Sequence, residues 1–415
     1  MVLRRTAHAG LSISGERRHM KGNGISRRAL LGNIAAIGAA TATGKAFANT
    51  HRFSPVQLDF SDPYLELVRL LKEGAEIEQD LMLQYLYAAF SLKPAYAGLV
   101  GAPAPNATSL MGVIIQEMQH LGDVNRLLVE LDAAPVLTRL DYPYESDVYP
   151  FPFEMAPMSS VGLAKFVYCE ADPVRLGHVW SVASPTAHLT DKLKTSFGGT
   201  IPVNHVGKLY DAIVESLGDL KQSAGAPKID YGAWFQNIGD VKAEGEFGHF
   251  KFFHSLYEGF HPLIKDIPDV WNLPATDARS PCYQLPVNPT AYEGRANTIK
   301  DKDLRALAWL GNMNYWSLLL LLDKGYRHKS KVELAYAQAI MMGPIMSLGK
   351  YLPTKGSALP FDPLSTGFNP GLNEAAGKSY TRRMLEETRA LAQKNEKLLP
   401  GDFNIKIYDQ LLAAV

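Results

Sequence analysis

The sequence contains only two cysteines, Cys169 and Cys282, among its 415 residues. Two cysteines are too few for a disulfide scaffold or for a zinc site made of thiolates. Basic and acidic side chains balance at 42 each, so the net charge favours neither a nucleic acid nor an anionic membrane as a partner. The chain has no Gly-rich phosphate loop and no nucleophile elbow.

The overall balance of charge hides a basic N-terminal segment. Residues 1–48 carry eight Lys and Arg but one acidic residue, Glu16, so the rest of the chain is net acidic. The segment contains the pair Arg27-Arg28, then a run of small apolar residues, then Ala46-Phe47-Ala48. Paired arginines before an apolar run and an Ala-x-Ala site are typical of a twin-arginine export signal. We therefore predict that residues 1–48 are this signal, with Met20 as an alternative start.

This export route carries proteins that have already folded, often around a cofactor. The prediction therefore includes a periplasmic or secreted location, the twin-arginine export machinery as a partner, and no membrane partner after signal cleavage. A basic tail without a targeting role, or an uncleaved anchor, is the alternative. The apolar run is Gly-rich and shorter than the ~20 residues that a membrane span needs.

Helical periodicity runs through most of the remaining chain, and no strand hairpin signal interrupts it. We predict an all-α protein with a helical bundle at residues 55–262, a Pro-rich boundary, and a C-terminal helical region at residues 290–415 packed on the bundle. The apolar run at 318–322 is predicted to be a buried helix rather than a membrane span, because Asn and Asp interrupt it. The predicted helices are 63–93, 110–135, 161–170, 206–221, 241–259, 304–326, 332–352 and 379–397.

Two copies of a Glu-x-x-His motif lie inside these predicted helices. They are Glu117 with His120, and Glu246 with His249. Residues three apart share one face of an α-helix, so each motif can present a carboxylate and an imidazole to the same point. A bundle with two such pairs is a natural place for two metal ions.

A third carboxylate, Glu78, lies on the apolar stripe of the first predicted helix. Glu117 and His120, and Glu246 and His249, occupy equivalent stripes on their own helices. Burial of an isolated carboxylate costs several kcal/mol unless a cation or partner compensates it. The pattern therefore predicts a shared metal centre, and the carboxylate and imidazole ligands favour iron, with manganese or zinc as alternatives.

Longer stretches around these residues are similar to one known family. They are residues 75–94, 117–121, 163–170 and 206–213, together with the helices around Asn314-Tyr315 and 341–353. Their content and order resemble the iminophenyl-pyruvate dimer synthase family, named for the violacein-pathway enzyme, and its ferritin-like domain. The resemblance implies a ferritin-like four-helix bundle, a di-iron centre, and oxidative or imine chemistry on a small, amino-acid-derived molecule.

The sequence departs from this pattern at the third helix. The spacing between Glu78 and Glu117 points to Lys208 as the equivalent position before Glu246, and a lysine is not an ordinary metal ligand at neutral pH. Glu170 continues the apolar stripe of the helix before it and is the preferred replacement, ahead of Glu215 and Asp211. Tyr85, seven residues beyond Glu78, is a candidate hydrogen-bond or electron donor, although an aromatic residue at this spacing is more often part of the core.

The sequence is compatible with three functions. The leading hypothesis is an exported di-metal oxidoreductase that acts on a small organic substrate with oxygen or peroxide. The alternative is a helical binding or structural protein with a degenerate site, in which Lys208 or another side chain neutralises the carboxylates. Iron storage is a weaker third hypothesis, because storage ferritins are compact bundles that form cages and the C-terminal region would not obviously permit this.

Overall fold

The structure is a computed structural model of the whole chain. It describes Val56, residues 58–139, Tyr149, residues 151–172, alternate positions from 193 to 199, and residues 206–274, 276–364 and 373–415. The predicted export signal at residues 1–48 lies outside the described residues.

All regular structure in the described ranges is helical, with two isolated bridges and no strand, so the predicted all-α class is confirmed. The helices are α1 (Pro63–Ser91), α2 (Ala97–Val100), α3 (Leu110–Glu130), α4 (Ser160–Glu170), α5 (Val206–Gln222), α6 (Tyr231–Ala243), α7 (Phe250–Tyr257), α8 (Lys302–Arg327), α9 (Lys331–Ile340), α10 (Met346–Tyr351), α11 (Glu374–Lys394) and α12 (Ile407–Ala414).

Local sequence explains where the site-bearing helices begin. The Asp62 side chain accepts a hydrogen bond from the Leu65 amide, and a proline occupies the first position of α1. Ser109 caps α3 and Ser159 caps α4 in the same way. Such caps satisfy backbone donors that the first helical turn leaves without partners. The caps therefore fix the start of three helices that carry the predicted ligands.

Two wide π-helical turns interrupt the regular helices. One, Glu244–His249, joins α6 to α7, and the other, Met341–Ile345, joins α9 to α10. Pro344 lies inside the second turn, and a proline inside a helix removes a backbone hydrogen bond and interrupts the regular helix. The first turn was not predicted. The predicted helix at 241–259 is instead the end of a longer run that begins at Tyr231.

The bundle places α1 at its centre. Helix α1 packs against α3 and α5, α4 packs against α7, and α6 packs against α3 and α5. The C-terminal helices cover another face of α1, where the Gln79 side chain donates a 2.6 Å hydrogen bond to the Tyr315 hydroxyl of α8. Helix α1 is therefore buried on more than its predicted stripe, and even Asp80 is fully buried.

Helix α8 organises the C-terminal region, because it packs against α3, α9 and α11. Its apolar run is buried against these neighbours. Within the described residues, no helix combines the length and the apolar character that a membrane crossing requires.

Candidate metal centre

Glu117 of α3 lies between two imidazole rings. Its Oε2 atom is 2.9 Å from Nδ1 of His120, and its Oε1 atom is 2.9 Å from Nδ1 of His249. The two rings are stacked with their centroids 5.6 Å apart. One carboxylate therefore faces both histidines of the two sequence motifs, each with a different oxygen.

Two further carboxylates complete two groups of ligand atoms. Glu78 Oε2 of α1 lies 3.6 Å from His120 Nδ1, and Glu170 Oε2 of α4 lies 3.6 Å from His249 Nδ1. Both groups, each of which includes Glu117, offer ligand atoms within 4.8 Å of one another, and all their members are buried. Two buried groups that share one carboxylate are the arrangement expected for a pair of metal ions in a helical bundle.

Glu246, the remaining predicted ligand, belongs to neither group. Its Oε1 atom lies 3.4 Å from Nζ of Lys242, although the residue lines the same cleft as Glu78, Glu117 and Glu170. The cause is the wide turn at Glu244–His249, because an extra residue in the turn shifts the faces on which side chains emerge. Glu246 and His249 therefore do not form the simple i, i+3 pair that a regular helix would give.

The structure also locates the candidates for the third-helix carboxylate. Glu170 reaches the site, whereas Glu215 is exposed on α5. Lys208 Nζ lies 3.2 Å from Oδ2 of Asp211, and Asp211 is exposed. Lys208 is therefore paired with an exposed carboxylate, so within the alternative hypothesis the neutralising side chain would have to be another one.

The approach of Glu170 depends on a glycine in the wide turn. A Cβ atom added to Gly245 would lie 2.8 Å from Glu170 Oε2, which is shorter than a normal van der Waals contact. Gly245 thus leaves the space that the Glu170 carboxylate occupies.

Two tyrosines hold the outer carboxylates. The Tyr85 hydroxyl donates a 2.6 Å hydrogen bond to Oε1 of Glu170, and the Tyr210 hydroxyl donates a short hydrogen bond to Oε1 of Glu78. Burial first, and then the neighbouring carboxylate, raise the pKa of each tyrosine well above its usual value. Both hydroxyls therefore keep their protons and act as donors.

Tyr210, Gln116 and Glu244 also belong to the site, although the sequence did not predict them as members. Tyr210 is one of the buried residues of α5, and nothing in the sequence indicates that its hydroxyl reaches the site. Glu244 Oε2 lies 3.1 Å from His120 Nε2 and accepts a 2.9 Å hydrogen bond from Gln116 Nε2. On a regular helix, Glu244 would have seemed a solvent-facing residue, and only the wide turn brings it to His120.

The pKa values show how protons balance the carboxylates of the site. Burial, followed by the charge of Glu117, raises the pKa of Glu78 to about 8. Burial opposes protonation of His249, but the charges of Glu117 and Glu170 outweigh it and raise its pKa to about 10. Burial also opposes ionisation of Glu117, yet His249 and His120 hold its pKa well below the usual value.

A metal ion suits these residues because several inward-facing atoms lack hydrogen bonds. In the part of the chain that the structure describes, Glu78 Oε2, Glu117 Oε1 and His249 Nδ1 make none, although the last two are only 2.9 Å apart. Buried polar atoms normally find partners, since a missing partner costs about 1–3 kcal/mol. Carboxylate oxygens and imidazole nitrogens that converge in this way, with protons on the histidines balancing their charge in the metal-free protein, fit a cation with mixed carboxylate and imidazole ligands.

A cavity of about 660 Å³ opens beside the centre, with His120 and Glu244 in its lining. The C-terminal region supplies one wall, from α8, α9 and the turn that follows α9. Most of the lining is apolar, and it includes Met82, Leu86, Met118, Leu318, Leu322 and Met341. The volume falls within the range of small-molecule sites.

The fold and the centre define a class: an all-α protein with a buried carboxylate and imidazole cluster between its helices. The ferritin-like family model matches residues 71–258, from within α1 to the end of α7, and this range contains every residue of the cluster. Residues 71–258 therefore form a ferritin-like domain. No curated protein and no solved structure matches the chain. The resemblance to the iminophenyl-pyruvate dimer synthase family stays a prediction.

Proposed function

We propose that this protein is a di-metal oxidoreductase, with iron as the preferred metal and manganese as the alternative. The observation that carries the proposal is the position of Glu117, whose two oxygens each serve a different group of ligand atoms. A single structural ion pair would not require two histidines, two further buried carboxylates and a shared carboxylate in this geometry.

The ligand roles follow from the two groups. Glu78 and His120 would hold one ion, Glu170 and His249 would hold the other, and Glu117 would serve both. Glu246 lines the same cleft and remains a candidate ligand. When bound, an iron or manganese pair would supply the electrons and the coordination positions for chemistry with oxygen or peroxide.

The residues around the ligands have distinct tasks. Tyr85 and Tyr210 orient Glu170 and Glu78 through the hydrogen bonds described above, so each carboxylate keeps one oxygen directed inward. The buried apolar surroundings exclude bulk water, which strengthens the electrostatic interactions within the centre. This chain therefore contributes a fixed set of oxygen and nitrogen donors in a dry pocket.

The cavity beside His120 is the proposed substrate chamber. Its apolar lining suits a small organic molecule, and its polar end at His120 and Glu244 would place the reacting part of that molecule next to the metal centre. The resemblance noted from the sequence favours an amino-acid-derived substrate. Export by the twin-arginine route, with metal uptake before export, belongs to the same proposal and gives a periplasmic or secreted enzyme.

Metal analysis of the folded protein tests the proposal. We expect close to two equivalents of iron or manganese in the wild-type protein, and a large loss in Glu117→Ala and His249→Ala. Glu215→Ala is the matched control, because this glutamate is exposed on α5. Equal metal content in all four proteins would contradict the proposal and favour a binding or structural protein whose cavity alone is functional.

A further inference from the structure

The outer nitrogens of the two site histidines are joined by a chain of hydrogen bonds. His120 Nε2 lies 3.1 Å from Glu244 Oε2, Gln116 Nε2 donates to the same oxygen at 2.9 Å, and Gln116 Oε1 lies 3.3 Å from His249 Nε2. We name this chain the Gln116–Glu244 bridge. It runs on the side of both rings opposite Glu117, whose oxygens face the two Nδ1 atoms.

The direction of each hydrogen bond in the bridge follows from the chemistry of its members. An ionised carboxylate can only accept hydrogen bonds, so Glu244 requires a donor from both of its neighbours. Gln116 must therefore turn its NH₂ group to Glu244, because its carbonyl oxygen there would oppose a carboxylate oxygen. The same amide then presents its Oε1 atom to His249, and that oxygen requires a donor in turn.

The bridge consequently places a proton on Nε2 of both rings. Once a ring holds a single proton, its Nδ1 atom carries a free lone pair, and both Nδ1 atoms point to Glu117. A neutral imidazole binds metal through the nitrogen that has no proton, and the hydrogen bond at the other nitrogen selects the tautomer.

We infer that Glu244, acting directly on His120 and through Gln116 on His249, fixes the tautomer of both histidines and so couples the two metal positions. Glu244 and Gln116 are positioning residues rather than ligands. The inference rests on the proposed metal centre. The wide turn at Glu244–His249 makes this arrangement possible. It brings Glu244 into contact with Gln116 and His120 of α3, while its last residue, His249, enters the centre.

The test uses cadmium, a diamagnetic probe metal, bound to the full-length protein. With ¹¹³Cd²⁺ and ¹⁵N-labelled histidine, nuclear magnetic resonance shows by one-bond coupling which ring nitrogen binds each ion. We expect coupling to Nδ1 of both His120 and His249 in the wild-type protein. In Gln116→Leu the coupling at His249 should weaken or divide between the two nitrogens, and Cd²⁺ affinity should fall about 10- to 100-fold, as for other partners of ligating histidines.

Three comparisons separate positioning from a general structural effect. Gln119→Leu, one turn further along α3 at an exposed position, should leave the couplings and the affinity unchanged. Glu244→Leu should disturb both histidines, whereas Glu244→Gln keeps one acceptor oxygen and should recover most of the affinity. Glu244 is 44 % exposed, so its substitution should not prevent folding, and a thermal melt of each variant checks this.

The outcomes distinguish this inference from the proposed function. A wild-type protein that binds no Cd²⁺, Fe²⁺ or Mn²⁺ at the site would overturn the proposed metal centre itself. A wild-type protein that binds Cd²⁺ but couples through Nε2 would overturn the bridge alone. Unchanged couplings and affinity in Gln116→Leu and Glu244→Leu would also overturn the role of the bridge, and would leave the proposed metal centre intact.

Discussion

Tyr85 of α1 donates a 2.6 Å hydrogen bond to Glu170 of α4, so a tyrosine on one helix holds a carboxylate on another. Its ring is also part of the core, where it packs at 4.6 Å from Phe166 and 4.7 Å from Phe253, measured between ring centroids. The sequence suggested two readings of Tyr85, a donor at the site or a core residue. The structure shows that the ring fills the core and the hydroxyl reaches the site.

Replacement of this tyrosine should affect metal binding more than the fold. Tyr85→Phe keeps the ring and removes the hydroxyl, so we expect a loss of about 1–2 kcal/mol in the free energy of unfolding and about a tenfold lower affinity for one of the two ions. Chemical denaturation and metal titration measure the two effects. Tyr380→Phe, at an exposed position of α11, is the control, and equal behaviour of the two variants would refute the role of Tyr85.

Replacement of Gly245 by alanine should weaken metal binding, whereas the same replacement at Gly239 should affect only stability. Gly245→Ala places a methyl group 2.8 Å from Glu170 Oε2, so Glu170 must move and the group that it forms with Glu117 and His249 should bind metal at least tenfold more weakly. Gly239→Ala on α6 meets no described atom within 4 Å and should instead stabilise the helix by about 0.5–1 kcal/mol. Titration with Fe²⁺ or Mn²⁺ under anaerobic conditions compares the two. Normal affinity in Gly245→Ala would show that Glu170 is not a ligand.

The ligand groups predict an order of importance among the carboxylates. Glu117 serves both groups, Glu78 and Glu170 serve one each, and Glu246 faces Lys242. Substitution by Gln should therefore reduce metal content most for Glu117, less for Glu78 and Glu170, and least for Glu246. Elemental analysis of the four variants measures this order. A loss for Glu246→Gln as large as that for Glu117→Gln would show that Glu246 binds metal directly, as the sequence motif predicts.

The stability of the metal-free protein should fall as the pH rises above neutrality. His249 has a folded-state pKa of about 10 against an ordinary 6.5, and Glu78 has one of about 8 against 4.5. Each raised pKa contributes stability that is complete below the ordinary value and is lost as the pH rises through the folded-state value. Glu117 has a lowered pKa, so its contribution to stability is lost as the pH falls. This loss occurs at acidic pH and does not cancel the decrease in stability above neutrality.

Thermal melts of chelator-treated protein between pH 6.5 and 10 test the pH prediction. We expect the melting temperature to decrease over this range, and to decrease less in His249→Gln. Bound metal replaces the protons of the site, so the loaded protein should show a smaller decrease. A melting temperature that rises with pH in the metal-free protein would contradict the assigned protonation states.

Local patterns were sufficient to predict most of the fold and part of the centre. The caps at Asp62 and Ser109 and the apolar stripes around Glu78, Glu117 and His120 are local features, and the structure brings these three site residues together. Glu170 was one of several candidates because its position depends on how α4 packs against α7, which no local pattern determines. The C-terminal cover over α1 is likewise a long-range contact.

The wide turn at Glu244–His249 could not be predicted from the sequence. A regular helix would place Glu246 beside His249 and would direct Glu244 away from the site. No residue type in this segment indicates that the turn contains an additional residue. Tertiary contacts favour the wide turn over regular helical hydrogen bonding. Glu117 and Glu170 lie close to His249, and Glu244 reaches His120. Interrupted helices of this kind often occur at functional sites.

Anomalous diffraction from crystals of the metal-loaded protein, recorded at the iron and manganese edges, shows directly whether two metal ions lie beside the Glu117 carboxylate. We expect two peaks on either side of the Glu117 carboxylate, one near Glu78 and His120 and the other near Glu170 and His249, about 3.5–4 Å apart as in other two-metal sites. The absence of any peak at Glu117, in crystals soaked with either metal, would show that these residues do not form a metal centre.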